Sequence, residues 1–310
     1  MKVHILIPVF NDWESSAQLI SEIRSTFHSQ SEIQLKIFII DDCSTEVTPA
    51  SGKFSEGEIT IIRLNRNVGH QRAIALGLSH INEHAPCDFV VIMDGDGEDK
   101  PSDILQLLHQ AGSEKGTIIF GNRQRRNEGT RFRLFYTLYK IIFRLMTAQK
   151  INFGNFCVIP FERVNNLVYV SDIWNHFSGG VIRSKIPYSS IPLDRGTRYF
   201  GSSKMNFFSL VIHGLSAIAV YTDILAVRIL VSTFFLIAFS IAGIFAVSAI
   251  RLFTPFAIPG WASFVVLSFL ILIFQAFLIS LLLLFNVLNY RTQRHFIPAL
   301  EYKNFISYIK

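Results

Sequence analysis

Val90-Val-Ile-Met-Asp94-Gly-Asp96-Gly-Glu98-Asp99-Lys-Pro101 is an apolar run that delivers closely spaced carboxylates to its own end. Hard divalent cations take oxygen ligands and keep open positions for substrate phosphates, so Asp94 and Asp96 are candidates to hold Mg2+ or Mn2+ against a diphosphate. Acidic turns are common, and the pair gains meaning only from the strand before it and from its neighbours. Working outward, Val3–Phe10, Leu35–Ile40, Ile59–Leu64 and Thr117–Phe120 are runs of similar kind separated by helical patterns. Short apolar runs alternating with helices predict βαβ units and an α/β domain with a mostly parallel, doubly wound sheet. Ligands bind such sheets at the carboxyl ends of the strands. The polar residues that follow the runs are therefore the ones to read: Asn11 and Asp12, Asp41 and Asp42, Asn65 to Gly69, Asp94 to Asp99, and Asn122 with Arg123.

Charge is distributed unevenly along the 310 residues. Residues 1–99 carry 7 basic and 15 acidic side chains, residues 100–223 carry 16 and 7, and residues 224–310 carry 6 and 1. An acidic first third beside a basic second third points to a metal-ion site facing an anion site. Nucleic-acid binding would need a basic face with base-reading or stacking groups. The basic cluster here is interleaved with Leu, Ile and Phe, which fits a membrane surface better and argues against a nucleic-acid partner. Cys43, Cys87 and Cys157 are widely spaced and odd in number, so neither a disulfide framework nor a zinc site is indicated, and a reducing compartment is the simplest reading. The opening Lys2–Phe10 run is too short for a signal peptide and reads as a buried strand.

Residues 229–250 and 261–290 contain no charged side chain, and about 20 apolar residues suffice to cross a bilayer as a helix. They predict a two-helix transmembrane hairpin within 224–290. The connection around Pro255 and Pro259 has no charge beyond Arg251, whereas Arg291, Arg294, Lys303 and Lys310 follow the second helix. The positive-inside tendency then places residues 1–223 and a 291–310 tail in the cytoplasm. Residues 131–147 read as an amphipathic helix, with Arg133, Lys140 and Arg144 on one side and Phe132, Tyr136, Tyr139 and Phe143 on the other. Such a pattern suits either a core helix with a solvated face or a helix lying in the membrane interface.

Together the motifs make the chain resemble a family 2 glycosyltransferase of the GT-A fold, in the subgroup of dolichol-phosphate mannose synthases and bacterial polyprenyl-phosphate glucosyltransferases. The matching pieces are Ile7-Pro-Val-Phe-Asn11, Ile40-Asp-Asp-Cys-Ser-Thr45, Asn67-Val-Gly-His-Gln-Arg-Ala73, the Asp94–Pro101 stretch, Gly154-Asn-Phe156 and Arg195-Gly-Thr-Arg-Tyr-Phe-Gly-Ser-Ser-Lys204, followed by the two apolar helices. The resemblance implies that Pro8 and the Asp41–Asp42 pair line a nucleoside pocket, although carboxylates after a strand also serve as local caps. It makes Asp94 and Asp96 the metal and diphosphate site, with Glu98, where the family usually has Gln, either a further ligand or a solvated side chain. Arg123 matches an arginine associated with the acceptor phosphate, and Arg131 or Arg133 lies near a second. A planar guanidinium binds phosphate oxygens in pairs, and each of these arginines could equally meet lipid headgroups. Arg195, Arg198, Ser203 and Lys204 match a loop that closes over the donor diphosphate, or else form a juxtamembrane basic loop.

Asn155 and Cys157 depart from the Gly-Asp-Phe-Arg pattern of the relatives. No strong catalytic base is evident. A phosphate monoester is ionised at neutral pH and needs none, whereas a sugar hydroxyl must lose its proton. Asp172 is the one plausible base for a hydroxyl acceptor, while His70 and His176 read as polar lining. The expected activity is inverting transfer of a hexose from a UDP- or GDP-sugar to polyprenyl phosphate at the cytoplasmic face of the inner membrane. The alternatives are a transferase for a sugar hydroxyl of a lipid-linked glycan and a non-catalytic sugar-lipid scaffold. The relatives often self-associate, so a homo-oligomer is among the implied partners.

Overall fold

The computed structural model describes residues 1–46, 58–123, 153–200, 214–254, 260–293 and 295–310. The first half alternates as expected: β1 (Lys2–Val9), α1 (Trp13–Phe27), β2 (Gln34–Asp41), β3 (Ile59–Leu64), α2 (His70–His84), β4 (Phe89–Ile92), α3 (Pro101–Ser113) and β5 (Ile118–Arg123). Strand β1 is buried throughout after Lys2, which explains its near-continuous apolar sequence. Its side chains alternate between two cores. Ile5 and Ile7 join Leu19, Ile23 and Leu107 from α1 and α3, whereas Leu6 joins Ile74 and Leu78 from α2. In β2, Ile37 and Ile39 face the first core, and Phe38 and Ile40 face the second. Each such fully buried side chain contributes about 1.5–3 kcal/mol, and a slip of one residue would exchange the two faces.

The remaining elements are β6 (Cys157–Pro160), α4 (Phe161–Leu167), a 3-10 turn (Ser171–Trp174), α5 (Phe177–Ser184), β7 (Tyr188–Leu193), α6 (Thr222–Phe253), α7 (Trp261–Thr292), α8 (Pro298–Glu301) and β8 (Ile306–Ile309). The sheet order is β7-β5-β6-β4-β1-β2-β3-β8. Strands β1 to β4 pair in parallel, β6 runs antiparallel between β4 and β5, and β7 is parallel to β5. The order reverses between β1 and β4, so their carboxyl ends open the crevice where ligands collect in such sheets. The fold is a GT-A, Rossmann-like, mostly parallel sheet with C-terminal helices.

The chain divides into two compact units. The first comprises Met1–Tyr139, Lys150–Val220 and His295–Lys310, and the second Lys140–Gln149 and Tyr221–Arg294. Within the stretch read as a tail, residues 295–310 belong to the first unit. After α7 the chain returns to the first unit, and β8 pairs antiparallel with β3. Tyr302 is buried, with its hydroxyl donating to Glu83 Oε2 at 2.7 Å. Phe296 lies on Trp174 with ring centroids 3.9 Å apart, and Asn65 donates from its backbone to the Phe305 carbonyl at 2.8 Å. The aromatic residues among its basic ones supply the burial that holds this segment.

In the second unit, α6 and α7 are each 32 residues long and apolar enough to cross a membrane. Ala226, Thr233, Ser240 and Val247 are the buried residues of α6, at the seven-residue spacing of a packed seam. Thr233 and Ser280 share a hydroxyl hydrogen bond of 2.7 Å, and Gly243 lies against the Phe269 ring, which fixes the helices as antiparallel. Small residues allow that close approach. Phe234, Phe239, Phe245, Phe274 and Phe285 are exposed on the outer sides.

Candidate active site

Three strand ends build the acidic edge. At the end of β2, Asp41 is fully buried; its Oδ2 accepts from Arg63 Nη1 at 3.0 Å and its Oδ1 from the Ser44 backbone at 2.8 Å. Arg63 Nη2 also donates to the Ser44 carbonyl at 3.0 Å, which fixes the turn. Asp42 accepts from the backbones of Val68 and Gly69 at 2.7 and 2.8 Å, tying β2 to the start of α2. Burial raises the pKa of Asp42, against the two backbone bonds that lower it. Asp41 thus fixes its own turn, and Asp42 joins two elements 26 positions apart. Pro8, buried in β1 beside Ile40, completes this wall. At the end of β1, Asn11 takes a positive φ of 49° and its Oδ1 accepts from the backbones of Thr45 and Glu46. Strained backbone of this kind persists where neighbours over-determine it.

The loop after β4 is folded by its own acids. Asp94 donates from its backbone to Asp99 Oδ2 at 3.0 Å, and Glu98 donates from its backbone to Asp96 Oδ1 at 3.0 Å. Asp99 is therefore a buried turn former. Gly95 lets the loop approach β1: a Cβ there would lie 3.6 Å from the Pro8 carbonyl oxygen and 3.0 Å from Ser16 Oγ. Burial raises the pKa of Asp96, and the Asp94 and Glu98 charges add to the rise, while the Glu98 backbone bond and Arg198 oppose it. Carboxylates that raise one another's proton affinity form a site suited to a cation.

A second segment lies across this loop. Gly196 donates to the Glu98 carbonyl at 2.8 Å and Tyr199 to the Asp96 carbonyl at 3.0 Å, both from backbone nitrogen. Arg195 pairs with Glu98, so Glu98 faces an arginine and not open water. Arg198 Nη1 lies 3.1 Å from Asp96 Oδ2, and its Nη2 lies 2.5 Å from Asp12 Oδ2. The Tyr199 hydroxyl donates to Glu22 Oε2 at 2.5 Å. Burial and this bond raise the tyrosine's pKa. The Tyr199 ring crosses Gly97, whose φ of +87° and contact with the ring both exclude a side chain.

On the other side of Asp94, His70 Nε2 lies 3.2 Å from Asp94 Oδ1 and 3.0 Å from the Asn155 amide nitrogen. Desolvation lowers the His70 pKa, but the Asp94 charge and hydrogen bond, with Asp96 and Asp99 behind them, reverse the direction and raise it. Asn155 in turn lies 3.4 Å from Ser178 Oγ. Asp172 pairs with Arg183 at 3.1 Å, and His176 caps α5 by accepting from the Gly179 backbone at 3.0 Å.

Of the residues singled out in the sequence, the structure brings Asp94, Asp96, Glu98, Arg195 and Arg198 together, with Pro8, Asp41 and Asp42 along the same sheet edge. Arg123 is the last residue of β5, with its Cα opposite Leu193. Residues 131–147, expected to be an amphipathic helix carrying Arg131 and Arg133, and also Ser203 and Lys204, lie outside the described residues. The Asp12–Arg198 pair, the Tyr199–Glu22 bond and the His70–Asn155 contact were not anticipated. Asp12 was visible as a strand-end carboxylate, but nothing in the spacing joins it to Arg198. Among the described residues no three His, Cys, Asp or Glu side chains form a ready metal cluster. Two carboxylates nevertheless fit Mg2+ or Mn2+, since these ions complete their spheres with water and substrate phosphate.

Comparison with known proteins agrees with this geometry. The family model described as glycosyl transferase family 2 matches residues 4–174. Glucosyl-3-phosphoglycerate synthase from Mycobacterium tuberculosis, solved with Mn2+, UDP-glucose and phosphoglyceric acid, is 13% identical, with a TM-score of 0.53 over 72% of this chain and 79% of that one. Mannosyl-3-phosphoglycerate synthase from Rubrobacter xylanophilus is 14% identical, with a TM-score of 0.51 over 71% of this chain and 72% of that one. At such identities the likeness establishes the fold.

Proposed function

Since the chain belongs to glycosyl transferase family 2 and is a nucleotide-sugar glycosyltransferase, we propose that it transfers a hexose, with inversion, from a UDP- or GDP-sugar to a polyprenyl phosphate. The observation that carries this reading is the interruption of the sheet unit by two apolar helices whose outer faces are lined with exposed phenylalanine. Such a surface suits lipid as its solvent. Because residues before α6 and after α7 belong to one unit, an even number of crossings follows, and Arg291, Lys303 and Lys310 favour the cytoplasmic side for it.

In this reading Asp94 and Asp96 hold the divalent cation, which supplies positive charge for the leaving diphosphate. Pro8 and the Asp41–Asp42 wall shape the nucleoside pocket, and Arg195 and Arg198, with Ser203 and Lys204, bind the diphosphate oxygens. Arg123, with Arg131 or Arg133, receives the acceptor phosphate. That phosphate is already ionised near neutral pH, so positioning and electrostatic stabilisation carry the rate. The commitment of Asp172 to Arg183 supports the same choice, because a hydroxyl acceptor would need that carboxylate as a base. Incubating the purified full chain with polyprenyl phosphate, Mg2+ or Mn2+ and a panel of nucleotide-sugars tests the proposal. A lipid-linked sugar from at least one donor is expected; transfer only to lipid-linked glycans, with activity destroyed by Asp172→Asn, would establish the hydroxyl acceptor instead.

A further inference from the structure

Arg198 occupies the middle of the acidic edge. All three of its guanidinium nitrogens are engaged: Nη1 with Asp96 Oδ2 at 3.1 Å, Nη2 with Asp12 Oδ2 at 2.5 Å, and Nε with the Phe200 carbonyl at 3.0 Å. The backbone bonds from Gly196 and Tyr199 to the 96–98 turn hold the segment in place. Asp96 Oδ1 already accepts from the Glu98 backbone, so Oδ2 is the oxygen best presented to a cation, and it is the one that Arg198 holds. Two positive charges on one carboxylate oxygen repel, and this pair is largely withdrawn from water, with side-chain exposures of 19% for Arg198 and 17% for Asp96.

We infer that Arg198 is the resident counterion of the metal site, neutralising Asp96 and Asp12 until a nucleotide diphosphate and its cation arrive together. Arg198 then leaves Asp96 Oδ2 to the cation and turns its fork to the diphosphate, a bidentate partner for which arginine is suited. Asp12 is a positioning residue that keeps the guanidinium beside the site between turnovers. The inference rests on the proposed reading of Asp94 and Asp96 as the metal site, and it makes a demand that reading does not: metal alone must compete with Arg198, whereas metal with nucleotide must not.

The two demands have opposite signs in one variant. Mn2+ is titrated into the detergent-purified full chain and followed by the electron paramagnetic resonance of free Mn2+, with wild type, Arg198→Ala, Arg198→Lys and Asp96→Asn. In Arg198→Ala, Mn2+ alone is expected to bind about 10-fold more tightly, while UDP and GDP at saturating Mn2+ bind about 10-fold more weakly, each about 1.4 kcal/mol. Arg198→Lys, which keeps the charge without the fork, should fall between wild type and Arg198→Ala in Mn2+ affinity and carries the test if Arg198→Ala fails to fold. Unchanged or weaker Mn2+ binding in the folded arginine variants overturns the inference. Absence of Mn2+ binding in every protein, or binding indifferent to Asp96→Asn, overturns the metal-site reading beneath it.

Discussion

Replacing Gly97 by alanine should undock the segment that covers the acidic turn. Gly97 has a φ of +87°, and a Cβ there would fall 2.2 Å from Cε2 and 2.4 Å from Cδ2 of Tyr199. A non-glycine residue in the left-handed region costs about 1–2 kcal/mol. The ring must also move, which breaks the bond from its hydroxyl to Glu22; hydrogen bonds to charged groups contribute about 1.5–3 kcal/mol, and partial exposure of this pair favours the lower end. The docked arrangement therefore loses about 2.5–4 kcal/mol, two to three orders of magnitude in its equilibrium. Steady-state kinetics should show KM for the nucleotide-sugar raised by at least about 30-fold, because Arg198 and Arg195, the proposed diphosphate ligands, lose their position. Trypsin gives an independent readout, since undocking exposes the bonds after Arg195 and Arg198 to cleavage. Tyr199→Phe, which removes the hydroxyl alone, should raise KM by about 10-fold. A Gly97→Ala protein with wild-type KM and wild-type resistance to trypsin would refute the reasoning.

Asp94→Asn and Asp96→Asn should each lower kcat/KM by about 1,000-fold or more, and chelation should abolish transfer until Mg2+ or Mn2+ is restored, as an initial-rate assay would record. Arg63→Ala leaves the buried Asp41 carboxylate without its partner and should destabilise the chain by about 3 kcal/mol, the low end for a broken buried pair because Arg63 is partly exposed; thermal melting should drop by about 6–12 °C. His4 and His80 both have pKa values lowered to about 4, His4 by burial and the charges of Lys36 and Lys2, His80 by burial and His84. Protons then bind the unfolded chain more readily, so stability is full above about pH 6.5 and is lost as pH falls from there towards about 4. Melting curves between pH 7.5 and 5 should show the loss, and His80→Phe should flatten it. Deleting residues 295–310 should lower the melting temperature sharply, because removing a buried aromatic such as Tyr302 alone costs about 3–5 kcal/mol.

The central strands could be read in advance because they are buried on both faces and therefore apolar almost without a break. Strand β6 could not: Cys157-Val-Ile-Pro160 is four residues long and gains its identity only by insertion between β4 and β5. Strand β7, Tyr188-Ser-Ser-Ile-Pro-Leu193, is only partly buried along most of its length and lacks the continuous apolar signal. Strand β8 is specified by a partner more than 200 positions earlier, a relation that local pattern cannot express. The same limit governs the site. The carboxylates after β4 announced themselves, but the Asp12–Arg198 contact joins residues 186 positions apart, and the inward use of Asp41 depends on Arg63 reaching it from the neighbouring strand.

The return of the chain to β3 has a consequence for how the molecule is made. Residues 306–309 are synthesised after both long helices, so the β3 edge remains unpaired while those helices are being made. An unpaired edge is open to association with other chains. Maturation of the sheet unit is thus timed by the helices inserted in its sequence: β8 covers the β3 edge only once they have been translated, and a chain stalled within α7 would carry both an open edge and an unfinished fold.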